Sequence, residues 1–272
     1  MSLNGIDISS YQSGINIANV PADFVIVKAT QGVNYVSPDC DNQVQQVIKS
    51  NKLLGVYHFA DGSGAEAEAT YFLANIQGYL GKAVLFLDWE ASVVNNGVAY
   101  AKTFMDYVYN QTGIRPIIYM SKSVTAQFDW SSVSKDYALW FAQYANNNET
   151  GYQSDPWTDS NGFGSWIQPA MQQYSSHGKL SGYDGNLDLD IFYGDSKAWA
   201  NFAKSDNVIP TVKTPIVQYP DPDGNPSYAL THWNAVKGKP FTSKNELLLT
   251  SPNGTKFTLA VTDSGELKAV KT

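Results

Sequence analysis

The chain has 272 residues, 43% hydrophobic and 13% aromatic, which is ample for a packed core and excludes a wholly disordered protein. Charged residues make up only 16%, the net charge is −7 and Arg115 is the single arginine, so no basic stripe exists to displace counterions and nucleic-acid binding is excluded. One cysteine, Cys40, allows no internal disulfide, and no apolar run approaches the ~18 residues of a membrane span.

Short β-like runs follow one another along the first two hundred residues: Gly5–Ile8, Phe24–Ala29, Leu53–Phe59, Ala83–Trp89, Pro116–Met120, Ala138–Tyr144, Met171–Tyr174 and Leu187–Phe192. Helical patterns separate several of them. Asp41–Ser50 reads as a short helix. Ala65, Ala69, Phe72, Leu73, Ile76 and Leu80 share one helical face, and Val98, Ala101, Phe104, Met105 and Val108 repeat the pattern before a stop at Thr112-Gly113. Strands alternating with helices predict βα units and a parallel sheet, and eight strands predict its closure into a barrel. After residue 120 the helices shorten and loops such as Asn146–Gly164 dominate, so the expected barrel is irregular. A helix over Ser196–Ala203 ends this unit.

Prolines at 210, 215, 220, 222 and 226 then mark an extended connection. Beyond it, Glu246–Thr250, Thr255–Thr262 and Glu266–Lys271 are β-like, joined by Ser251-Pro252-Asn253-Gly254 and Asp263-Ser264-Gly265, which are hairpin signals. The expected organisation is a barrel over 1–204, a linker over 205–217 and a small antiparallel β domain over 218–272. Residues 203–272 hold eight lysines against six acidic residues, while residues 1–202 are strongly acidic. The first basic residue is Lys28, so Met1–Gly5 opens no Sec-type signal peptide. The expectation is synthesis in a cytoplasm, with any exit arranged by another agent.

The sharpest chemical signal is Val84-Leu85-Phe86-Leu87-Asp88-Trp89-Glu90. An apolar run leading to acidic residues is a buried strand with carboxylates at its C-terminal end, and residues i and i+2 face the same side. Asp88 and Glu90 therefore face together. Two partly desolvated carboxyls in proximity repel, one pKa rises, and the result is one protonated acid beside one carboxylate, the division of labour glycosidases use. The same pattern also suits a solvated rim or a cation ligand. Asp7 ends the first strand, and Asp188 lies in the last, where Asp188 and Asp190 share a side opposite Leu187, Leu189 and Ile191. First and last strands of a closed barrel are neighbours, so Asp7 and Asp188 can meet. Tyr57, Tyr119, Trp140, Tyr144 and Tyr174 lie at or near strand ends, where each can stack on a sugar or pack the barrel. His58 reads either as a hydrogen-bonded core imidazole or as part of the groove. His177 and His232 form no metal-ligand cluster, and no G-x-S-x-G, Walker or G-x-G-x-x-G pattern occurs, so no metal and no cofactor are expected.

Taken in order, Asp7-Ile8-Ser9-Ser10-Tyr11-Gln12, Phe24-Val25-Ile26-Val27-Lys28-Ala29-Thr30 with Gln31-Gly32, Gly55-Val56-Tyr57-His58-Phe59, Asp88-Trp89-Glu90, Pro116-Ile117-Ile118-Tyr119, Leu139-Trp140 with Gln143-Tyr144, Gln173-Tyr174-Ser175 and Gly185-Asn186-Leu187-Asp188 resemble glycoside hydrolase family 25, the muramidases of many phage endolysins. The resemblance spans about residues 3–195. It implies a flattened, irregular β/α barrel that cleaves the β-1,4 bond from N-acetylmuramic acid to N-acetylglucosamine in peptidoglycan. By motif it makes Glu90 the general acid, with Asp88, Asp7 and Asp188 completing an acidic floor. It places Tyr57, His58, Tyr119, Trp140, Gln143, Tyr144, Gln173 and Tyr174 along the substrate.

The chain departs from the family pattern at Gln172, where the family often has Trp, and at Asp188-Leu189-Asp190, where it commonly reads Asp-x-Asn. The implied partners are peptidoglycan glycan strands and, through the C-terminal domain, a wall polymer. The competing readings are an inactive glycan-binding barrel and a glucosaminidase of other bond specificity.

Overall fold

Period-two alternation in each predicted strand requires two faces to be covered, and the chain achieves this by closing the strands on themselves. The computed structural model describes residues 2–205 and, in the tail, the segments 218–220, 226–228, 247–250, 255–261 and 267–271. In chain order the strands are β1 (Leu3–Ile8), β2 (Phe24–Gln31), β3 (Tyr35–Val36), β4 (Leu53–Phe59), β5 (Ala83–Asp88), β6 (Ile117–Ser121), β7 (Leu139–Ala142), β8 (Met171–Gly178) and β9 (Leu187–Phe192). Their spatial order is β1-β9-β8-β7-β6-β5-β4-β2, and parallel pairing of β1 with β2 closes the ring. β3 only folds back on the end of β2.

The sheet is parallel around most of the ring, as expected, but β9 runs antiparallel to both β8 and β1. The physical reason is the connection. A parallel pair needs a long crossover, whereas β8 and β9 are joined by a short loop without a helix.

The outward faces are covered by α1 (Cys40–Lys49), α2 (Ala65–Ile76) and α3 (Gly97–Thr112). Val44 and Val47, Phe72 and Ile76, and Phe104 and Val108 pack there against Val25, Val27, Val56, Leu85 and Leu87. α3 stops at Gly113, whose φ of 69° supplies the left-handed cap that a side chain disfavours. α4 (Lys122–Thr125) and α5 (Ser131–Ser134) are single turns, so this half of the barrel is the irregular one.

The interior is divided by height. Phe24, Ile26, Val84, Phe86, Ile117, Met171 and Phe192 fill the lower part. Gly5 and Gly55 make room for their rings: a Cβ at Gly5 stands 2.2 Å from the Phe24 ring, and one at Gly55 stands 2.7 Å from the Phe86 ring. Because β9 runs against its neighbours, its C-terminal end delivers α6 (Ser196–Ala203) to the floor of the barrel. There Trp199 stacks on Phe24 at 4.5 Å, meets Phe192 edge-on at 5.2 Å and donates its indole N–H to the Leu54 carbonyl at 3.2 Å. The bottom is sealed by apolar matter, and the groove opens at the other end, where the parallel strands have their C-terminal ends.

By compactness the chain divides into two units, Met1–Val212 and Lys213–Thr272. In the second, β10 (Gln218–Pro220) pairs with β11 (Pro226–Tyr228), and β12 (Leu247–Thr250), β13 (Lys256–Val261) and β14 (Leu267–Lys271) form an antiparallel sheet. The predicted turns at 251–254 and 263–265, residues 206–217 of the predicted linker, and His232 lie outside the described residues. Among the described residues no helix is long and apolar enough to cross a membrane.

Candidate active site

The mouth of the barrel holds a groove of about 280 Å³ floored by Asp7, Asp88, Glu90 and Asp188. Each arrives from a strand end. Register pairs Asp7 of β1 directly with Asp188 of β9, and Asp88 of β5 with Tyr119 of β6. Glu90 sits just past β5 in extended backbone, and Ala91 next to it adopts φ 54°. A non-glycine residue in the left-handed region costs on the order of 1 kcal/mol. That turn stops the strand and leaves the Glu90 carboxyl at the lip, while Trp89 between the two acids points outward, fully buried near Tyr100.

Gln173 binds three walls of the groove together. Its amide oxygen accepts the Tyr119 hydroxyl at 2.8 Å and the Tyr144 hydroxyl, and its amide nitrogen donates to Asp7 Oδ2 at 2.6 Å. Trp140 packs on Tyr119 with ring centres 4.5 Å apart. Tyr57 and Phe59 line the groove beside Lys28, whose ammonium lies 4.6 Å from the Phe59 ring centre and donates to Gln31 Oε1 at 2.8 Å.

Burial dominates the electrostatics. It pushes the Asp7 carboxyl up to about 6, against the hydrogen bonds from Gln173 and Asp190 that favour its charge. Burial, then the charges of Asp7 and Glu90, pushes Asp188 up to about 8. Asp88 is held well above the usual carboxylate range by burial, Glu90 and Asp7. Glu90 is raised by burial, and Lys28 pulls it back. Near neutrality the groove therefore holds both protonated carboxyls and carboxylates, which is the equipment for acid catalysis at an acetal oxygen. Among the described residues no group of His, Cys, Asp or Glu is arranged to hold a metal ion.

The predicted site residues separate by strand face. Tyr57, Tyr119, Trp140, Tyr144 and Gln173 line the groove with the four acids. His58, Gln143 and Tyr174 do not line it. His58 is fully buried on the outer face of β4. Its ring nitrogens meet Thr30 Oγ1 and Glu68 Oε2, each at 2.8 Å, and Phe104 stacks on it at 5.0 Å. A bulge in β2 between Lys28 and Thr30 turns Thr30 outward to meet it. The Gln143 side chain is consumed in pinning the loop at Thr158 and Asp159. The Tyr174 ring lies on the outer face of β8, where its hydroxyl accepts the Gln153 N–H at 3.1 Å.

Ile8, Ser9, Tyr11, Gln12, Lys28 and Phe59 also line the groove, and none had been assigned to it; Asp190, read on the side of Asp188 but given no role, lies fully buried beneath it. Alternation carried the signal for three of them: Lys28 follows Phe24 and Ile26 on the inner face, Phe59 follows Tyr57, and Asp190 follows Asp188. Tyr11 is 92% exposed on a 3₁₀ turn and had no periodic signal.

The profile of glycosyl hydrolases family 25 matches residues 6–183. An N,O-diacetylmuramidase of Chalaropsis sp is 34% identical over 143 residues, covering 45% of this chain and 67% of that protein. A lysozyme of Streptococcus phage Cp-7 is 33% identical over 160 residues, covering 53% of this chain and 44% of that protein. The crystal structure of a bacterial lysozyme from Streptomyces coelicolor superposes with a TM-score of 0.62 at 23% identity, over 74% of this chain and 96% of that one.

A carboxyl whose pKa is higher in the folded than in the unfolded state binds extra proton in the folded state between the two values. Stability is then greatest below the unfolded pKa of ~3.9 and declines as pH rises through the folded value. For Asp188 that window runs from about 4 to about 8. Thermal unfolding is expected to show the wild-type Tm falling from pH 5 to pH 8, with Asp188→Asn raising it at pH 8 by ~3 °C or more. An unchanged or lowered Tm at pH 8 contradicts this charge burial.

Proposed function

The chain belongs to glycosyl hydrolases family 25, and on that premise we propose that it is a muramidase cleaving the β-1,4 bond from N-acetylmuramic acid to N-acetylglucosamine in peptidoglycan. The observation that carries the reading is the pair Asp88 and Glu90, buried to different degrees at the end of β5 within a groove walled by aromatic rings. Tyrosine and tryptophan faces suit the flat apolar faces of sugar rings, and the groove offers little basic charge besides Lys28.

Glu90, at the lip and protonated, is placed to deliver its proton to the leaving glycosidic oxygen. The C1–O bond breaks, the electron pair leaves with the oxygen, and positive charge develops on the ring. Asp88 lies deeper, and its Oδ1 is buried without a hydrogen-bond partner. An acceptor atom left open at that depth suits the N–H of the substrate's N-acetyl group. Such a bond favours the charged form of Asp88 and aims the acetamido oxygen at C1. The acetamido oxygen bonds to C1 as the leaving group departs; water then gives a proton to the Glu90 carboxylate and attacks C1, breaking the bond to the acetamido oxygen, and the two displacements give retention. Asp7 and Asp188 supply negative potential beneath the developing charge.

Similarity to the phage lysozyme supports a phage lysin that waits inside its host, a Gram-positive cell, until the membrane is opened. We assign wall attachment to residues 218–272, because a wall-anchoring module is the expected companion of a muramidase barrel in a phage lysin. The full chain is expected to sediment with Gram-positive walls more completely than a chain ending at residue 204, and less so in high salt. Equal sedimentation of the two contradicts the assignment.

Glu90→Gln keeps the shape and removes the proton donor. Turnover of peptidoglycan is expected to fall about 10²–10⁴-fold with substrate binding retained, and Asp88→Asn to be nearly as damaging. Chelators are expected to leave the rate unchanged. A Glu90→Gln enzyme with most of its activity moves the acid to another residue, and a large chelator effect makes the carboxyls cation ligands.

A further inference from the structure

Asp190 is fully buried on the inner face of β9, one layer below Asp188, and Gly5 of β1 stands opposite it in register. Asp7 follows two residues after Gly5 on the same face of β1, so Asp190 and Asp7 are diagonal neighbours across the β1–β9 pair, above the Phe24 ring that fills the space at Gly5. Its Oδ1 accepts the indole N–H of Trp140 at 3.0 Å. Its Oδ2 is buried and receives no donor. The group it reaches is the Asp7 carboxyl, which already takes the Gln173 amide at Oδ2. Two carboxyl groups are both acceptors when ionised, and in a dry interior they attract only when one of them carries a proton between them.

Which one carries it follows from the partners. Asp7 borders the groove and has an amide donor that favours its charge. Asp190 is sealed from water, and its one donor is a neutral indole. The other titratable groups around it are Asp188 on its own strand, Tyr144 beyond β7, Tyr152 on the loop before β8 and Tyr174 on β8, none of them a cation.

We infer that Asp190 is a positioning residue of the site: as the neutral acid it donates a hydrogen bond from Oδ2 to Asp7, and so holds Asp7 as an oriented carboxylate. The charge on Asp7 in turn favours protons on Asp88 and Asp188. Losing the donor lets Asp7 take up the proton itself, which weakens the negative potential under the reacting sugar without touching the walls that bind it. The role rests on the muramidase reading for its kinetic consequence, but the protonation state does not.

Two substitutions separate the possibilities. Asp190→Asn keeps an acceptor for Trp140 and a donor for Asp7, whereas Asp190→Leu has similar volume and neither group. On purified peptidoglycan, Asp190→Asn is expected to keep kcat within about threefold of wild type. Asp190→Leu is expected to lose about tenfold to a hundredfold in kcat with little change in KM. The wild-type-minus-Asp190→Asn infrared difference at neutral pH is expected to show one carboxylic-acid carbonyl stretch lost. An Asp190→Asn enzyme as damaged as Asp88→Asn, a difference spectrum showing loss of a carboxylate instead, or an Asp190→Leu enzyme with wild-type kcat each overturns the inference. If Asp190→Leu fails to fold, Asp190→Asn and the infrared band decide. Wild-type protein that hydrolyses no peptidoglycan refutes the muramidase reading alone, and the infrared band still tests Asp190.

Discussion

Carboxyl groups from β1, β5 and β9 share a mouth that water reaches poorly, and each charge placed there raises the cost of the next. An isolated carboxylate in a dry interior costs several kcal/mol even after relaxation, so the site persists only because protons and hydrogen bonds hold the number of charges down. Lys28 supplies positive charge at one side, and the Gln173 amide supports Asp7. Burial raises the remaining carboxyls, Asp188 to about 8. A groove assembled to minimise its own repulsion is thereby a groove stocked with acids near neutral pH.

The barrel makes this tolerable by separating chemistry from stability along its height. Phe24, Phe86, Phe192 and Trp199 form a sealed apolar lower half, so the polar layer above need not contribute cohesion. The antiparallel course of β9 matters twice. It brings Asp188 and Asp190 down through the layers beside Asp7, and it leaves α6 at the bottom, where Trp199 closes the floor. A parallel last strand would have delivered that helix to the mouth instead.

Much of this was legible because alternation holds along most of the barrel strands, with breaks at the bulge in β2 and in β8. Inner-face residues such as Ile26, Phe86 and Asp88 stand two apart, and the acids at strand ends were readable as one cluster. The same rule shows where the reading went too far. Tyr57 and His58, Gln143 and Tyr144, and Gln173 and Tyr174 are adjacent pairs, and in each pair one member lines the groove and the other turns away. Similarity to a family groups such neighbours together, while geometry divides them. The partner of His58 could not be read at all, since Glu68 comes from α2 and Thr30 reaches it through a bulge. The direction of β9 was hidden because a loop and a helix can both follow the same strand pattern, and only the length and content of the connection distinguish them.

A muramidase leaves N-acetylmuramic acid at each new reducing end, so the identity of that sugar decides which bond the groove cleaves. Gram-positive walls digested with the full chain, reduced with borohydride and hydrolysed to their sugars are expected to yield the reduced form of N-acetylmuramic acid, rising in step with loss of turbidity. Reduced N-acetylglucosamine in its place contradicts the claim and makes the enzyme a glucosaminidase.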